Sequence, residues 1–345
     1  MTKIDNINIA GQKLLSSPAE IIKENPASQQ VTEFIAKSRQ EVIDILERRD
    51  NRKIMIVGPC SIHNEQEALE FAANIKSIQD KVSDKILLVM RVYFEKPRTT
   101  VGWKGLIYDP DLNDSYNFDK GLRLARKILL DVAEMGVPAA TELLDPIITQ
   151  YIADLVSWGA IGARTTESQT HRQMVSGVSM PIGFKNATNG NLTVAVDAIK
   201  SASHPHSFLG VLQDGRTGIF QTNGNPHCHV VLRGGSDGPN FGSEYTAFTR
   251  EVMKKAGLTP NIIVDCSHAN SGKDPMKQPN VMHDLLNQIG EGNNDIVGFM
   301  LESNLFSGNQ KVVEGQPLKA GISITDGCLG WEETANLINE MYQSL

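Results

Sequence analysis

The sequence predicts an α/β fold: a (β/α)8 TIM barrel with an N-terminal helical extension and an inserted β-hairpin. Three observations predict it. From Lys53 onward, eight short apolar runs alternate with amphipathic segments, the pattern of a parallel sheet crossed by helices. Glycines follow several amphipathic segments directly, where helices commonly end in a left-handed residue. A metal-binding or ionisable side chain stands at or just past each run, and in a barrel those positions converge on one face.

Residues 1–50 read as the extension and residues 51–345 as the barrel. In the extension, Ser17-Pro18-Ala19-Glu20 is a capping signature, with Ser as N-cap, Pro at the first helical position and Glu three residues after the cap. A second helix is expected from Gln30 to Arg49, with Val31, Phe34, Ile35, Val42, Ile45 and Leu46 as its apolar face. The expected strands are Ile54–Val57, Ile86–Met90, Pro138–Thr141, Ala160–Ala163, Ile182–Phe184, His229–Leu232, Ile262–Val264 and Ile296–Met300. Expected helices include Leu122–Met135, ended by Gly136, and Ile147–Trp158, ended by Gly159. Leu192–Ser203 and Tyr245–Ala256, the latter ended by Gly257, complete the set. Asp214-Gly215 between Phe208–Val211 and Thr217–Thr222 is a hairpin signal. It places an insertion at about residues 206–223, before the sixth barrel strand. Gly234-Gly235-Ser236-Asp237-Gly238 lacks a dinucleotide fingerprint and reads as a flexible loop over the mouth.

Composition narrows the function. Of 345 residues, 40% are apolar and 21% charged, which is ordinary for a globular protein. A formal charge of −7 argues against a nucleic-acid binder. No apolar run approaches the roughly 18 residues of a membrane span, and the N-terminus shows no secretory pattern. Cys60, Cys228, Cys266 and Cys328 form no CxxC pair, so reduced thiols in the cytoplasm are the expectation.

The strand-end residues are, in order, Cys60, Arg91, Glu142, Arg164, Lys185, Arg233, His268 and Glu302, with Asp326 in the last loop. Singly, each has a plain structural explanation: a small core thiol, a satisfied histidine, a surface arginine. A full circle of them does not, because burying several charges together is costly without partners. Cys60, His268, Glu302 and Asp326 offer sulfur, nitrogen and two carboxylates. That set suits Mn, Fe, Co or Zn better than Ca or Mg. Arg91, Lys96, Arg98, Arg164, Lys185 and Arg233 form a basic set fitted to carboxylates and phosphates. There is no GxxxxGK[ST] loop for a nucleoside triphosphate.

Several stretches resemble the class I 3-deoxy-D-arabino-heptulosonate 7-phosphate (DAHP) synthases. They are Gly58-Pro59-Cys60-Ser61-Ile62-His63, Met90–Thr99, Gly162–Gln169, Gly183-Phe184-Lys185-Asn186, Leu232-Arg233-Gly234-Gly235 and Asp265–Asn270. Glu302-Ser303 and Ser323-Ile324-Thr325-Asp326 extend the likeness, which runs from about residue 15 to the C-terminus. The resemblance implies condensation of phosphoenolpyruvate (PEP) with erythrose 4-phosphate on one divalent metal ion. It implies Cys60, His268, Glu302 and Asp326 as metal ligands, and Arg91, Glu142, Arg164, Lys185 and Arg233 around PEP. Lys96, Pro97, Arg98 and Thr99 would meet erythrose 4-phosphate, with Lys96 as a proton donor among the catalytic residues.

The same resemblance implies feedback inhibition by an aromatic amino acid in a cleft containing Thr149, Gln150, Val178, Ser179, Phe208 and Gly210. A neighbouring chain's N-terminal arm would complete that cleft in a homodimer or homotetramer. Relatives often carry Pro where Thr149 stands, a departure here. Gly210 replaces the Ser of phenylalanine-sensitive relatives and leaves room for a phenol hydroxyl, so tyrosine is the expected inhibitor. A metal-dependent aldolase on the same barrel would not need so many anion-binding cations, and two further rivals stand beside this reading. One is the sister synthase that takes arabinose 5-phosphate, against which Lys96-Pro97-Arg98-Thr99 speaks. The other is a catalytically silent aromatic amino acid sensor, which would need neither the metal set nor the cation set.

Overall fold

The apolar runs become strands because they are short and buried on both faces, and the longer ones are rich in Ile, Val, Leu and Met. β1 (Lys53–Gly58) and β2 (Ile86–Arg91) are buried at every position. β3 (Ala139–Glu142), β4 (Trp158–Ile161), β5 (Ile182–Lys185), β8 (Cys228–Leu232), β9 (Ile262–Asp265) and β10 (Ile296–Glu302) complete a closed parallel barrel. Its order is β1-β10-β9-β8-β5-β4-β3-β2. The inserted β6 (Ser207–Val211) and β7 (Thr217–Gln221) pair antiparallel as a separate hairpin, with Gly215 at φ 84° in its turn. The computed structural model describes residues 4–313 and 315–345, so the first three residues of the extension and Glu314 lie outside it.

The helices are α1 (Pro18–Glu24), α2 (Gln29–Leu46), α3 (Glu65–Val82), α4 (Phe118–Glu134) and α5 (Thr149–Ile152). After them come α6 (Gln169–Val175), α7 (Thr193–Ala202), α8 (Ser243–Lys255), α9 (Gln278–Gly290) and α10 (Trp331–Ser344). The Ser17 capping box is present, with Ser17 and Glu20 satisfying each other's backbone. Gly136 and Gly257 sit at φ 75° and 74°, as helix stops require. No helix among the described residues is long and apolar enough to cross a membrane.

Two expectations are corrected. The helix foreseen over Ile147–Trp158 ends much earlier, as α5 followed by a 3-10 turn at Ala153–Leu155. Trp158 opens β4, and Gly159 lies inside that strand rather than at a helix end. A Cβ at Gly159 would stand 2.5 Å from Ile182 Cδ1, so this glycine serves close strand packing. The glycine stretch at 234–238 is not a free loop over the mouth. A Cβ at Gly235 would meet the Gly190 nitrogen at 2.1 Å, and the Gly234 amide donates to Asn240 Oδ1 at 2.7 Å. These glycines allow backbone to pack on backbone.

Two apolar cores result. One lies between the barrel wall and its helices, including Phe71, Leu129, Val132 and Ile199. The other fills the barrel, where Trp158, Ile56, Val89, Val231 and Ile263 meet Val42, Ile45 and Leu46 of α2. Helix α2 therefore closes the end of the barrel where the strands begin. Asn261 Nδ2 donates to the Leu46 carbonyl at 2.9 Å, tying its last turn to the start of β9. With that end plugged, the open mouth is at the strands' C-terminal ends.

Candidate active site

Arg91, Glu142, Lys185, Asp265 and Glu302 are the last residues of β2, β3, β5, β9 and β10. All are buried, and Cys60 follows β1 with no exposure. A strand end is rigid, and alternation along it aims these side chains into the mouth.

Cys60, Glu302 and Asp326 each offer a donor atom, and all three donors lie within 4.8 Å of one another. Cys60 Sγ is 3.7 Å from Asp326 Oδ2. His268 joins from the side, with Nε2 3.8 Å from Glu302 Oε1. Its backbone sits at φ 55°, a conformation that costs a non-glycine residue energy and clusters at functional sites. The Lys273 amide holds it by donating to the His268 carbonyl at 2.7 Å. Burial, reinforced by the Glu302 and Asp326 carboxylates, pushes the Cys60 thiol up to about 11. Such a thiol with two carboxylates fits a divalent cation, which would take the thiolate and balance the acids.

The cations surround this group. Arg91 Nη2 donates to Glu302 Oε1 at 3.0 Å, and its guanidinium lies 3.9 Å from the Tyr93 ring centroid. Arg91 Nη1 is buried without a partner, as is Glu142 Oε1. Two orphaned polar atoms in one mouth mark where a polar ligand belongs. Gly162 makes room for Glu142, since a Cβ there would stand 2.3 Å from Oε1. Lys96 is buried and donates to Cys60 Sγ at 3.0 Å and to the Cys60 carbonyl at 3.2 Å. Burial opposes its charge, but Cys60 and Glu302 outweigh that and hold it protonated.

At the rim, Pro97 is half-buried, while Arg98, Thr99 and Arg164 are exposed. Arg164 Nη2 donates to Thr99 Oγ1 at 3.1 Å, joining two segments 65 residues apart. Arg233 is half-buried, and its amide donates to Asn186 Oδ1 at 2.8 Å. Lys185 Nζ donates to Asp265 Oδ2 at 2.8 Å. Asp265 was not singled out from the sequence. The available signal was an acid ending the otherwise apolar run Ile262-Ile263-Val264.

A second cleft, of about 640 Å³, lies between the hairpin, α5 and the end of α6. Thr149, Gln150, Val178, Phe208 and Gly210 line it together with Asp145, Ser176 and Phe220. Ser179, expected in the same cleft, is exposed and is not among its lining residues. It lies past the α6 end, where Ser176 and Gly177 face the cleft instead.

A family model described as the DAHP synthetase I family matches residues 24–339. The chain belongs to the DAHP synthetase I family. Among similar proteins is the Tyr-sensitive phospho-2-dehydro-3-deoxyheptonate aldolase of Escherichia coli K12, 49% identical over 99% of this chain and 96% of that protein. The Phe-sensitive enzyme of the same organism is 47% identical over 98% of this chain and 96% of its own length. A solved structure of the Francisella tularensis SCHU S4 aldolase superposes with a TM-score of 0.96 at 50% identity, covering 98% of both chains. Membership agrees with the circle of strand-end residues, which is the part of the DAHP synthetase barrel described above.

Proposed function

We propose that this protein condenses PEP with D-erythrose 4-phosphate and water to give DAHP and phosphate, the first step of the shikimate pathway. The Arg91–Glu302 contact of 3.0 Å carries the reading. It joins an anion-binding cation and a cation-binding carboxylate in one buried unit, as a reaction of anionic substrates on a metal would need.

Arg91, Arg164, Lys185 and Arg233 hold the PEP carboxylate and phosphate, with Glu142 beside them. Lys96, Pro97, Arg98 and Thr99 receive erythrose 4-phosphate, and the Arg164–Thr99 bond brings the two sets of residues together. Cys60, His268, Glu302 and Asp326 would hold one divalent ion (Mn2+, Fe2+, Co2+ or Zn2+), which supplies Lewis-acid polarisation of the aldehyde when bound. The methylene carbon of PEP attacks the aldehyde carbon. Lys96 gives its proton to the oxygen that becomes the new hydroxyl. Water adds at the former enol carbon and one of its protons restores Lys96; the C–O bond to phosphate then breaks as the new C–OH becomes the ketone, its proton leaves with the phosphate, and the cations receive that phosphate.

The test follows PEP consumption by purified protein with erythrose 4-phosphate, after chelation and after Mn2+ is restored, with arabinose 5-phosphate in parallel. PEP loss only with erythrose 4-phosphate and metal is expected. Turnover with arabinose 5-phosphate would transfer the chain to the sister reaction. No turnover with any metal would leave the sensor reading.

Feedback by tyrosine belongs to the second cleft. Relatives named for different amino acids are nearly equally similar to the chain, so overall similarity does not choose among effectors. Gly210 favours tyrosine: a Cβ there would stand 2.8 Å from the Phe220 ring, so its absence keeps the wall open for a hydroxyl. We further place the protein as a homodimer or homotetramer, because Ile4, Ile7, Ile9 and Leu14 form an exposed apolar arm that a second copy would cover. Four free cysteines, three of them buried, suit the cytoplasm.

A further inference from the structure

Asp265 is wholly buried at the end of β9, among groups that the proposed reaction divides between metal and PEP. Its Oδ2 accepts from Lys185 Nζ at 2.8 Å and lies 2.9 Å from His268 Nδ1. Its Oδ1 accepts from the Ser267 amide at 3.0 Å and from Ser267 Oγ at 2.6 Å. Ser267 Oγ is in turn 2.8 Å from His268 Nδ1.

Counting protons decides which ring nitrogen of His268 carries hydrogen. A carboxylate only accepts, and the single hydroxyl proton of Ser267 is given to Oδ1. His268 Nδ1 therefore faces two acceptors and must carry a proton itself. In the neutral ring that leaves the lone pair on Nε2, the nitrogen 3.8 Å from Glu302 Oε1. A histidine offered to a metal is oriented this way by a carboxylate behind it.

We propose that Asp265 is the positioning residue that presents His268 Nε2 to the metal and, through the same oxygen, holds Lys185 for PEP. This rests on the functional reading above and adds to it a physical link between the two halves of the mouth. One carboxylate oxygen serves a group from each half, so disturbing it disturbs both.

Asp265→Asn keeps the shape and breaks the pattern. The amide has one acceptor oxygen, whereas both Asp265 oxygens accept here. With NH2 towards His268, Nδ1 must become an acceptor and Nε2 takes the proton. Lys185 then loses its counter-charge. With NH2 towards Ser267, two donors oppose each other.

Three measurements test this on the full-length protein: Co2+ titration followed by thiolate charge-transfer absorption, PEP titration of the metal-free protein by calorimetry, and 15N-histidine correlation spectra of the metal-free protein. A His268→Gln variant assigns the signals. In the wild type we expect the Nδ1–H form of His268. In Asp265→Asn we expect Co2+ affinity lower by about 10–100-fold, and PEP affinity lower by about 10-fold. Both affinities unchanged, or one lost with the other intact, would overturn the proposal. If Asp265→Asn does not fold, the wild-type tautomer decides, and an Nε2–H ring overturns it. A wild type that binds neither Co2+ nor PEP would instead remove the functional reading itself.

Discussion

Glu95 shows how one residue can carry a property of its own beside the site. It is almost fully buried next to Lys96, accepts from the Asp145 amide at 3.1 Å, and is 3.3 Å from the Tyr108 hydroxyl. Burial, with the Asp145 carboxylate nearby, pushes its carboxyl up to about 8. Below the ordinary value of 4.5, Glu95 is protonated in both the folded and the unfolded chain. Between 4.5 and about 8 the unfolded chain gives up the proton while the folded one keeps it, so stability falls as pH rises through that window. Above it, the loss is constant. Glu95→Gln is neutral throughout, so urea denaturation should show it gaining on the wild type from pH 5 to 8, by on the order of 1 kcal/mol or more. A constant difference across that range would show that Glu95 titrates normally.

At the scale of elements, the hairpin is the piece that distinguishes this barrel from a plain one. Its strands expose Leu209 and Ile219 on one side and turn Phe208 and Phe220 towards the cleft, with ring centroids 5.6 Å apart. The hairpin is anchored at its tip, where the Ala19 amide donates to the Gln213 carbonyl at 2.8 Å and Gln213 Nε2 reaches Gln150 Oε1 at 3.1 Å. Effector choice is therefore expected to follow the wall at position 210. Gly210→Ser should move the Phe220 ring, weaken inhibition by tyrosine about 10-fold or more, and favour phenylalanine, since small changes in a pocket wall discriminate ligands by about 10–200-fold, with kcat nearly unchanged. Inhibition curves for both amino acids on both proteins check this, and unchanged tyrosine sensitivity would remove Gly210 from the specificity wall.

Across the whole molecule, the two ends of the barrel do different work. Helix α2 supplies Val42, Ile45 and Leu46 to the inner core, and the mouth at the opposite end holds the polar groups. Damage at the plug should cost stability and leave chemistry alone. Leu46→Ala removes a buried side chain and should lower unfolding free energy by about 2–5 kcal/mol. Its kcat per folded molecule should stay within about twofold of wild type, because nothing at the mouth depends on that contact. A large fall in kcat with intact stability would contradict the division.

Legibility in the sequence followed from whether a feature is local. Alternating apolar runs, the Ser17 capping box, the Asp214-Gly215 turn and the glycine stops at Gly136 and Gly257 each depend on a few consecutive residues, and the structure has them where the sequence puts them. The strand-end residues were legible for the same reason, since a polar side chain closing an apolar run needs no partner to be noticed. What failed was non-local. Gly159 reads as a helix stop until Ile182 of the next strand is seen pressing on it. The 234–238 glycines read as slack until Gly190 and Asn240 are brought against them. Asp265 had no visible role until the barrel closed and set Lys185, 80 residues away, on the same oxygen as His268. The chain by itself determined which side chains are cationic, metal-ligating or aromatic and close an apolar run, because those are properties of single residues and their immediate neighbours. Tertiary structure alone decided which of them share a proton, a counter-charge or a wall, because those relations exist only between groups that folding brings within a few ångströms.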